Sequence, residues 1–450
     1  MPRLFGTSGI RGLVGEDITP ELCFGVGKAL GSSLTEGARV AVASDTRQSS
    51  GALKEAFVSG LVSSGTRVAD WGVLPTPALA LITQELGFAA GAMITASHNP
   101  PQYNGLKLFH SSGLAYGRRQ EEELEAIYRE GRFSNSSRGT LDHDLQGLGT
   151  YYHLLCRRLP PLSPSWRVVV DPGNGAMAGF VTRLFEELGL EVSAVNDEPD
   201  GLFPGRGPEP TELSLQGTVE FLREKGGDIA VCFDGDGDRV AFCDSRGFLG
   251  FNEMLAFLSH LMLRDSPGGK VAATVETGRL LEFALRGRGE VVRGEVGDGP
   301  VAHLCRQLRA ALGVEPVGVY ILPSMGYYPD GIFASLLLLS RLRQIGDIRE
   351  FLGTLPRLFL EKAKVPCPRE KMERVGQPLR TEGPLFGATE VNNLDGLRLE
   401  FDDAWMLLRP SGTEPVIRVI AEATSPERAR ALVGMGQQYV ESLLNGGAAR

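Results

Sequence analysis

Cysteine is scarce in this chain, and so is any pattern that would give it structural work. The six thiols, Cys23, Cys156, Cys232, Cys243, Cys305 and Cys367, are scattered through 450 residues with no paired spacing. That excludes a disulfide framework and a cysteine-built zinc site, and it is the usage of a reduced, cytoplasmic protein. Surplus positive charge is missing too. Lys and Arg total 46 against 55 Asp and Glu, a net charge of -9. This argues against nucleic acid or an anionic membrane as the main partner, while local basic sites can still take small anions. Long apolar runs are absent. The densest, Ile332 to Leu339, is far too short to span a bilayer, and its continuation has helical period. The opening Met1-Pro2-Arg3-Leu4-Phe5-Gly6 lacks the apolar region of a signal peptide.

What is present is ordinary globular composition, 42% hydrophobic and 22% charged, with 58 glycines. Length alone allows roughly three domains. The glycines predict many tight turns and close backbone approach to ligands.

The stretch Thr95-Ala96-Ser97-His98-Asn99-Pro100 follows an apolar run, Ala89 to Ile94, that reads as a buried strand. A serine hydroxyl therefore sits at the carboxyl end of a strand, where open α/β sheets place their ligands. An imidazole (His98), an amide (Asn99) and an ammonium (Lys107) lie close by in sequence. Such a hydroxyl can act as a nucleophile; it can equally be a loop-capping group.

Strands and helices alternate around it. Pro20 to Leu34 has helical spacing, Arg39 to Ala43 is a strand, and Asp45-Thr46-Arg47 is the turn after it. Ser49-Ser50 is expected to cap a helix through Leu61. Strand, polar turn, helix, strand recurs at Arg39–Trp71, Arg167–Val195 and Lys270–Val292, which predicts three similar α/β units in series. Asp395 to Val419 alternates in short runs before a helix from Pro426, a smaller α+β unit. The expected domains are residues 1–145, 146–250, 251–365 and 366–450, with Lys364 to Gly383 as a linker.

Two further loops carry chemistry. Asp234-Gly235-Asp236-Gly237-Asp238-Arg239 follows the strand Ile229 to Phe233. Its glycines let alternate carboxylates converge, which calls for a hard cation, preferably Mg²⁺ where phosphate is present. An EF-hand needs Glu at the twelfth position from Asp234, and Ser245 stands there. Arg409-Pro410-Ser411-Gly412-Thr413-Glu414-Pro415, with Arg418 beyond it, combines hydroxyls, glycine backbone and guanidinium groups as an anion cradle. Phe5-Gly6-Thr7-Ser8-Gly9-Ile10-Arg11-Gly12 has a similar anion-binding composition.

Together these segments resemble the α-D-phosphohexomutases, the phosphoglucomutase, phosphomannomutase and phosphoglucosamine mutase family. The resemblance rests on Phe5–Gly12, Thr95–Pro100 with Asn104-Gly105 and Lys107, Asp234–Arg239 and Arg409–Pro415, in order along nearly the whole chain. It implies four domains around a central cleft and a Mg²⁺-dependent isomerase that moves a phosphoryl group between the 1-position and the 6- or 5-position of a sugar. Ser97 would carry the phosphoryl group, with Asp234, Asp236, Asp238 and Ser97 around the metal. Arg11, His98, Lys107 and Arg239 would surround the transferring phosphate. Arg409, Ser411, Gly412, Thr413 and Arg418 would hold the phosphate that stays. The implied partner is a small sugar phosphate, and the implied assembly a monomer or homodimer.

The third unit departs from the pattern. The family's sugar loop reads Gly-Glu-x-Ser-Gly, and here Val314-Glu315-Pro316-Val317-Gly318-Val319 keeps only Glu315 and Gly318 as expected sugar contacts. Valines cannot hydrogen-bond sugar hydroxyls, so Val317 and Val319 predict altered specificity or weakened turnover. Glu295 also stands where relatives carry lysine. Three readings follow: a mutase with altered specificity, a sugar-phosphate-binding homologue that does not turn over, and a pentomutase or phosphatase variant.

Overall fold

The computed structural model describes residues 4–446 apart from 7, 145, 163–165, 265 and 413. Its first sheet has three neighbouring parallel strands, Arg39–Ser44, Arg67–Val73 and Ala90–Ile94. Thr140–His143 extends it in parallel at one edge; Tyr103–His110 and Ile10–Leu13 close the other edge antiparallel. Val40, Ala41, Val42 and Ala43 are all fully buried, because helices cover both faces and the strand reads as one apolar run. On one face the helices Pro20–Ser33 and Ser50–Ser63 touch backbone to backbone. A Cβ at Gly27 would stand 2.1 Å from the Phe57 carbonyl and one at Gly60 2.1 Å from that of Phe24, so only glycine permits this approach.

The second and third sheets repeat the plan. In the second, Glu191–Ala194, Arg167–Asp171 and Ile229–Phe233 run parallel, and Val240–Asp244 returns antiparallel beside the last. In the third, Gly289–Gly294, Gly269–Thr274 and Leu312–Glu315 run parallel, and Val319–Ile321 returns. In all three sheets the last inner parallel strand doubles back through a hairpin. Those three hairpins are the Ser97 loop, the Asp234–Arg239 loop and the Glu315–Gly318 loop. The three chemically distinctive segments thus occupy one topological position in a repeated unit, at the carboxyl ends of parallel strands. One apolar cluster runs from the first unit to the third, through Leu79, Tyr151, Trp166, Phe242 and Phe333.

The fourth sheet is wholly antiparallel, in the order Phe359–Pro366, Val416–Ala423, Ala404–Pro410, Leu397–Glu400, Glu390–Asn392. One face buries Leu399, Met406, Leu408 and Val419 with residues of the helix Pro426–Leu444, which Ser425 caps by accepting from the Arg428 N–H. The other face, Trp405, Leu407 and Ile420, packs on Val275 of the third unit.

Two local expectations need correction. The expected linker 364–383 is structured: it holds the end of the strand Phe359–Pro366 and the helix Arg369–Leu379. The boundary expected at 365 falls inside that strand. Lysines and a proline hid it, as they do on edge strands, which must resist further pairing. Ser49 does not cap its helix; its hydroxyl accepts from the Asn104 side chain instead.

Candidate active site

Ser97 sits just beyond the strand Ala90–Ile94 with φ +52°, a left-handed conformation that is costly for a residue with a Cβ. Its N–H donates to Thr95 Oγ1 at 2.8 Å. Its hydroxyl donates to Asp234 Oδ2 at 2.6 Å and lies 3.3 Å from His98 Nδ1. The two loops therefore meet across the junction of the first two units. Burial, and then the positive charges of Arg239 and Arg11, hold the His98 imidazole well below its ordinary value, so it is neutral.

The three carboxylates of Asp234, Asp236 and Asp238 offer oxygens within 4.8 Å of one another, all buried. Gly237, at φ +76°, makes the curl that aims them inward. Asp236 Oδ2 accepts from Thr76 Oγ1 at 2.6 Å and from Thr95 Oγ1 at 3.2 Å. Asp236 Oδ1 and Asp238 Oδ1 are buried with no hydrogen-bond partner among the described residues. Burial, then the neighbouring carboxylates, raises Asp234 well above its ordinary value and raises Asp238 as well. Such a cluster needs protons or a cation, and two orphaned oxygens converging beside a hydroxyl are a good donor set for a hard divalent ion.

Cations surround the triad. Lys107 is buried, with Nζ 2.8 Å from Asp238 Oδ2 and 2.5 Å from Asp298 Oδ2. Burial pulls its ammonium down, but Asp238 and Asp298 outweigh that and hold it above its usual range. It is a fixed charge and not a base. Ser8 also donates to Asp298, at 2.7 Å, so one carboxylate ties the third unit to the first. Arg11 Nη1 lies 3.5 Å from Asn99 Oδ1, its strand paired beside Gly105. Arg239 lies 3.9 Å from Asp238 and bridges to Val319 of the third loop.

Glu315 is buried and accepts the Gly297 N–H at 2.8 Å. Burial, then Asp298, pushes its carboxyl up to about 7. Gly318, at φ +84°, accepts the Val240 N–H at 2.9 Å; a Cβ there would meet the Val240 carbonyl at 2.5 Å. Val319 stands at a departure from the family's sugar loop. Its side chain is 1% exposed, in a cluster with Leu114, Val301 and Ile321, and Val317 packs against the same cluster. Both valines have a packing reason. Glu295 is exposed, one residue before Val296, whose N–H donates to Asp395 Oδ2 at 3.0 Å.

Arg409 lies on the strand Ala404–Pro410, 2.7 Å from Asp395 and 3.4 Å from Glu276 of the third unit. Ser411 is buried and its hydroxyl accepts the Glu414 N–H; Gly412 is exposed; Arg418 lies 3.3 Å from Glu414. Thr413 lies outside the described residues. Arg409 links this loop to the third unit through Glu276. Sequence reasoning gave no role to Asp298, Thr76 or Thr95. Asp298 carried a signal, since it opens the helix Asp298–Leu308 directly after Gly297 at φ +129°.

Comparison with known proteins accords with this arrangement. Residues 2–135, 160–247, 251–358 and 363–435 match the four domains described as phosphoglucomutase/phosphomannomutase α/β/α domains I, II and III and the C-terminal domain. A probable phosphoglucosamine mutase of Thermococcus gammatolerans is 40% identical over 98% of this chain and 99% of its own length. Another, from Methanopyrus kandleri, is 40% identical over 96% of each. Among solved structures, a phosphoglucomutase/phosphomannomutase family protein of Burkholderia thailandensis superposes with TM-score 0.85 at 28% identity, over 99% of this chain and 98% of that one.

Proposed function

This chain belongs to the phosphoglucomutase/phosphomannomutase family of intramolecular phosphotransferases, and from that premise we propose that it interconverts the 1- and 6-phosphates of glucosamine through a phosphoryl group carried on Ser97. The observation that carries the reading is the 2.6 Å contact between the Ser97 hydroxyl and Asp234 of the carboxylate triad. The sugar is taken from the relatives named probable phosphoglucosamine mutases.

Phosphoryl transfer asks chiefly for positioning and for charge opposite the phosphate oxygens. Asp234, Asp236 and Asp238 would hold Mg²⁺, which would supply divalent charge beside Ser97. Arg11, Lys107 and Arg239 add fixed positive charge. The Ser97 phosphoryl group passes to the free hydroxyl of a sugar monophosphate, giving a bisphosphate and a free serine. The proton that leaves the sugar hydroxyl ends on the Ser97 oxygen, and His98, 3.3 Å from that oxygen, is placed to relay it. The bisphosphate turns over and returns its other phosphoryl group to Ser97. Arg409, Ser411, Gly412, Thr413 and Arg418 hold the phosphate that stays, and Glu315 and Gly318 face the sugar.

The test is an isomerisation panel of the 1-phosphates of glucosamine, N-acetylglucosamine, glucose, mannose, ribose and deoxyribose, with Mg²⁺ and a bisphosphate activator. The proposal expects glucosamine 1-phosphate to turn over fastest. No conversion of any member would leave a protein that binds without turning over. Phosphate release matching substrate loss would make it a phosphatase.

A further inference from the structure

The turn Asp45-Thr46-Arg47 plays no part in the chemistry above, yet it holds the most fully engaged side chain beside the site. Arg47 is 2% exposed. Its Nε donates to Asp45 Oδ2 at 3.0 Å. Nη1 donates to the carbonyls of Pro100 and Tyr103 at 2.6 and 2.9 Å, and Nη2 to those of Ser97 and Asn99 at 2.8 and 2.6 Å. All five N–H groups of the guanidinium are spent, four of them on the backbone of the Ser97 loop. Asp45 is fixed in turn: Oδ1 accepts from Ser50 Oγ at 2.8 Å, and Oδ2 from Thr95 Oγ1 at 2.7 Å. Phe203 of the second unit covers the guanidinium at 5.0 Å.

The second unit contains the same device. Asp171 ends a strand that pairs in parallel with the strand leading to the Asp234 loop, as Asp45 follows the strand that pairs with the one leading to Ser97. Asp171 Oδ2 accepts from Thr218 Oγ1 at 2.5 Å, matching Ser50. It is bound by Arg206 Nε at 2.8 Å, and Arg206 Nη2 donates to the Phe233 carbonyl at 2.6 Å, one residue before the triad. The two arginines come from unrelated sequence positions, 2 residues after one aspartate and 35 after the other.

We propose that Arg47 and Arg206 are positioning residues for phosphoryl transfer, two copies of one buried clamp. Each is seated on an aspartate of the neighbouring strand and grips the backbone of the loop that carries the nucleophile or the carboxylates. The proposal rests on the reading that Ser97 carries the phosphoryl group. It explains how Ser97 keeps its left-handed backbone: its own carbonyl and those of Asn99, Pro100 and Tyr103, all gripped by Arg47, cannot relax without stranding a buried guanidinium. Arg47 holds four carbonyls of its loop and Arg206 one of its own, so the first clamp matters more. A lysine keeps the charge but cannot make the planar, forked set of bonds.

The test uses the full chain with R47K, R47A and R206K. One readout is the rate at which label from glucose 1,6-bisphosphate reaches Ser97; another is hydrogen exchange of the peptide 95–105. The clamp predicts that R47K and R47A stay folded, that labelling slows about 100-fold, the penalty of a reacting group displaced by about 1 Å, and that exchange rises in 95–105 but not in the other strands of the first sheet. Millimolar guanidinium should restore labelling in R47A, and ammonium should not. R206K should slow labelling less than R47K. Labelling by R47K within about threefold of wild type would overturn the proposal. So would exchange that rises across the whole first unit, or failure of both Arg47 variants to fold, since either makes the role purely structural. If wild type takes up no label, the Ser97 reading falls, and the exchange pattern still judges the clamp.

Discussion

The first two units and the third differ at the turn that follows the strand beside each site loop. In units one and two an aspartate at that turn seats an arginine of the same unit, Arg47 or Arg206, which donates to backbone carbonyls at the neighbouring site loop. In the third unit Thr274 ends the strand that corresponds to theirs, and no aspartate follows it. Its turn is gripped from outside: Arg398 of the fourth unit donates to the carbonyls of Val275 and Thr277 at 2.6 and 3.0 Å, while Arg409 reaches Glu276. Arg279 answers across the same boundary, donating to the carbonyls of Phe401 and Asp402. At the reacting end each loop has an arginine of its own unit behind it, and contacts between units, Thr76 with Asp236 and Lys107 with Asp238 and Asp298, join the loops. At the end proposed to hold the sugar and the resting phosphate, the corresponding turn is held by another unit.

That contrast can be broken at several points. The largest effect belongs to Ser97→Ala. Loss of the proposed nucleophile should cut turnover by about 1,000-fold or more with the melting temperature unchanged, by steady-state kinetics and calorimetry. Turnover near wild type would remove Ser97 from the chemistry. Next, Asp236→Asn should weaken the Mg²⁺ dependence of turnover by about 100-fold while the fold persists, read from a Mg²⁺ titration; a superimposable titration would count against the triad.

Arg398→Leu sharpens the comparison from the other side. Arg398 is 1% exposed and stacked on Trp405 at 4.0 Å, so its loss should destabilise the protein by about 3 kcal/mol in denaturant unfolding. Its kinetic mark should be a raised KM with kcat largely kept, where Arg47→Lys lowers kcat. A fall in kcat alone would erase the distinction between the two ends.

The smallest effect is on pH dependence. The Glu315 carboxyl is raised from 4.5 to about 7, chiefly by burial. Between those values the folded protein holds a proton that the unfolded chain has released, so Glu315 lowers stability as pH rises through that window. Glu315→Gln should flatten this slope in unfolding measured from pH 4.5 to 7. An unchanged slope would place its origin elsewhere.

The parts legible in the sequence were contiguous ones. Ser97 and the three aspartates each sit in a short loop straight after an apolar strand, so local pattern alone located them, and the repeated strand–helix units followed from spacing. What escaped was set by contacts between distant residues. Arg47 looked like a turn residue because the carbonyls it grips begin 50 positions away, and Arg206 lies 35 residues from its aspartate. Val319 read only as a departure from the family's loop because its packing partner Leu114 comes from the first unit. The strand Phe359–Pro366 was hidden because an edge strand carries charges and a proline that read as a linker.

The most direct test of the account is mass-spectrometric mapping of the phosphoryl group after the protein meets glucose 1,6-bisphosphate and Mg²⁺. A single phosphoryl group on Ser97, lost again on addition of glucosamine 6-phosphate, is the result expected. A phosphoryl group on another residue, or none at all, would contradict it.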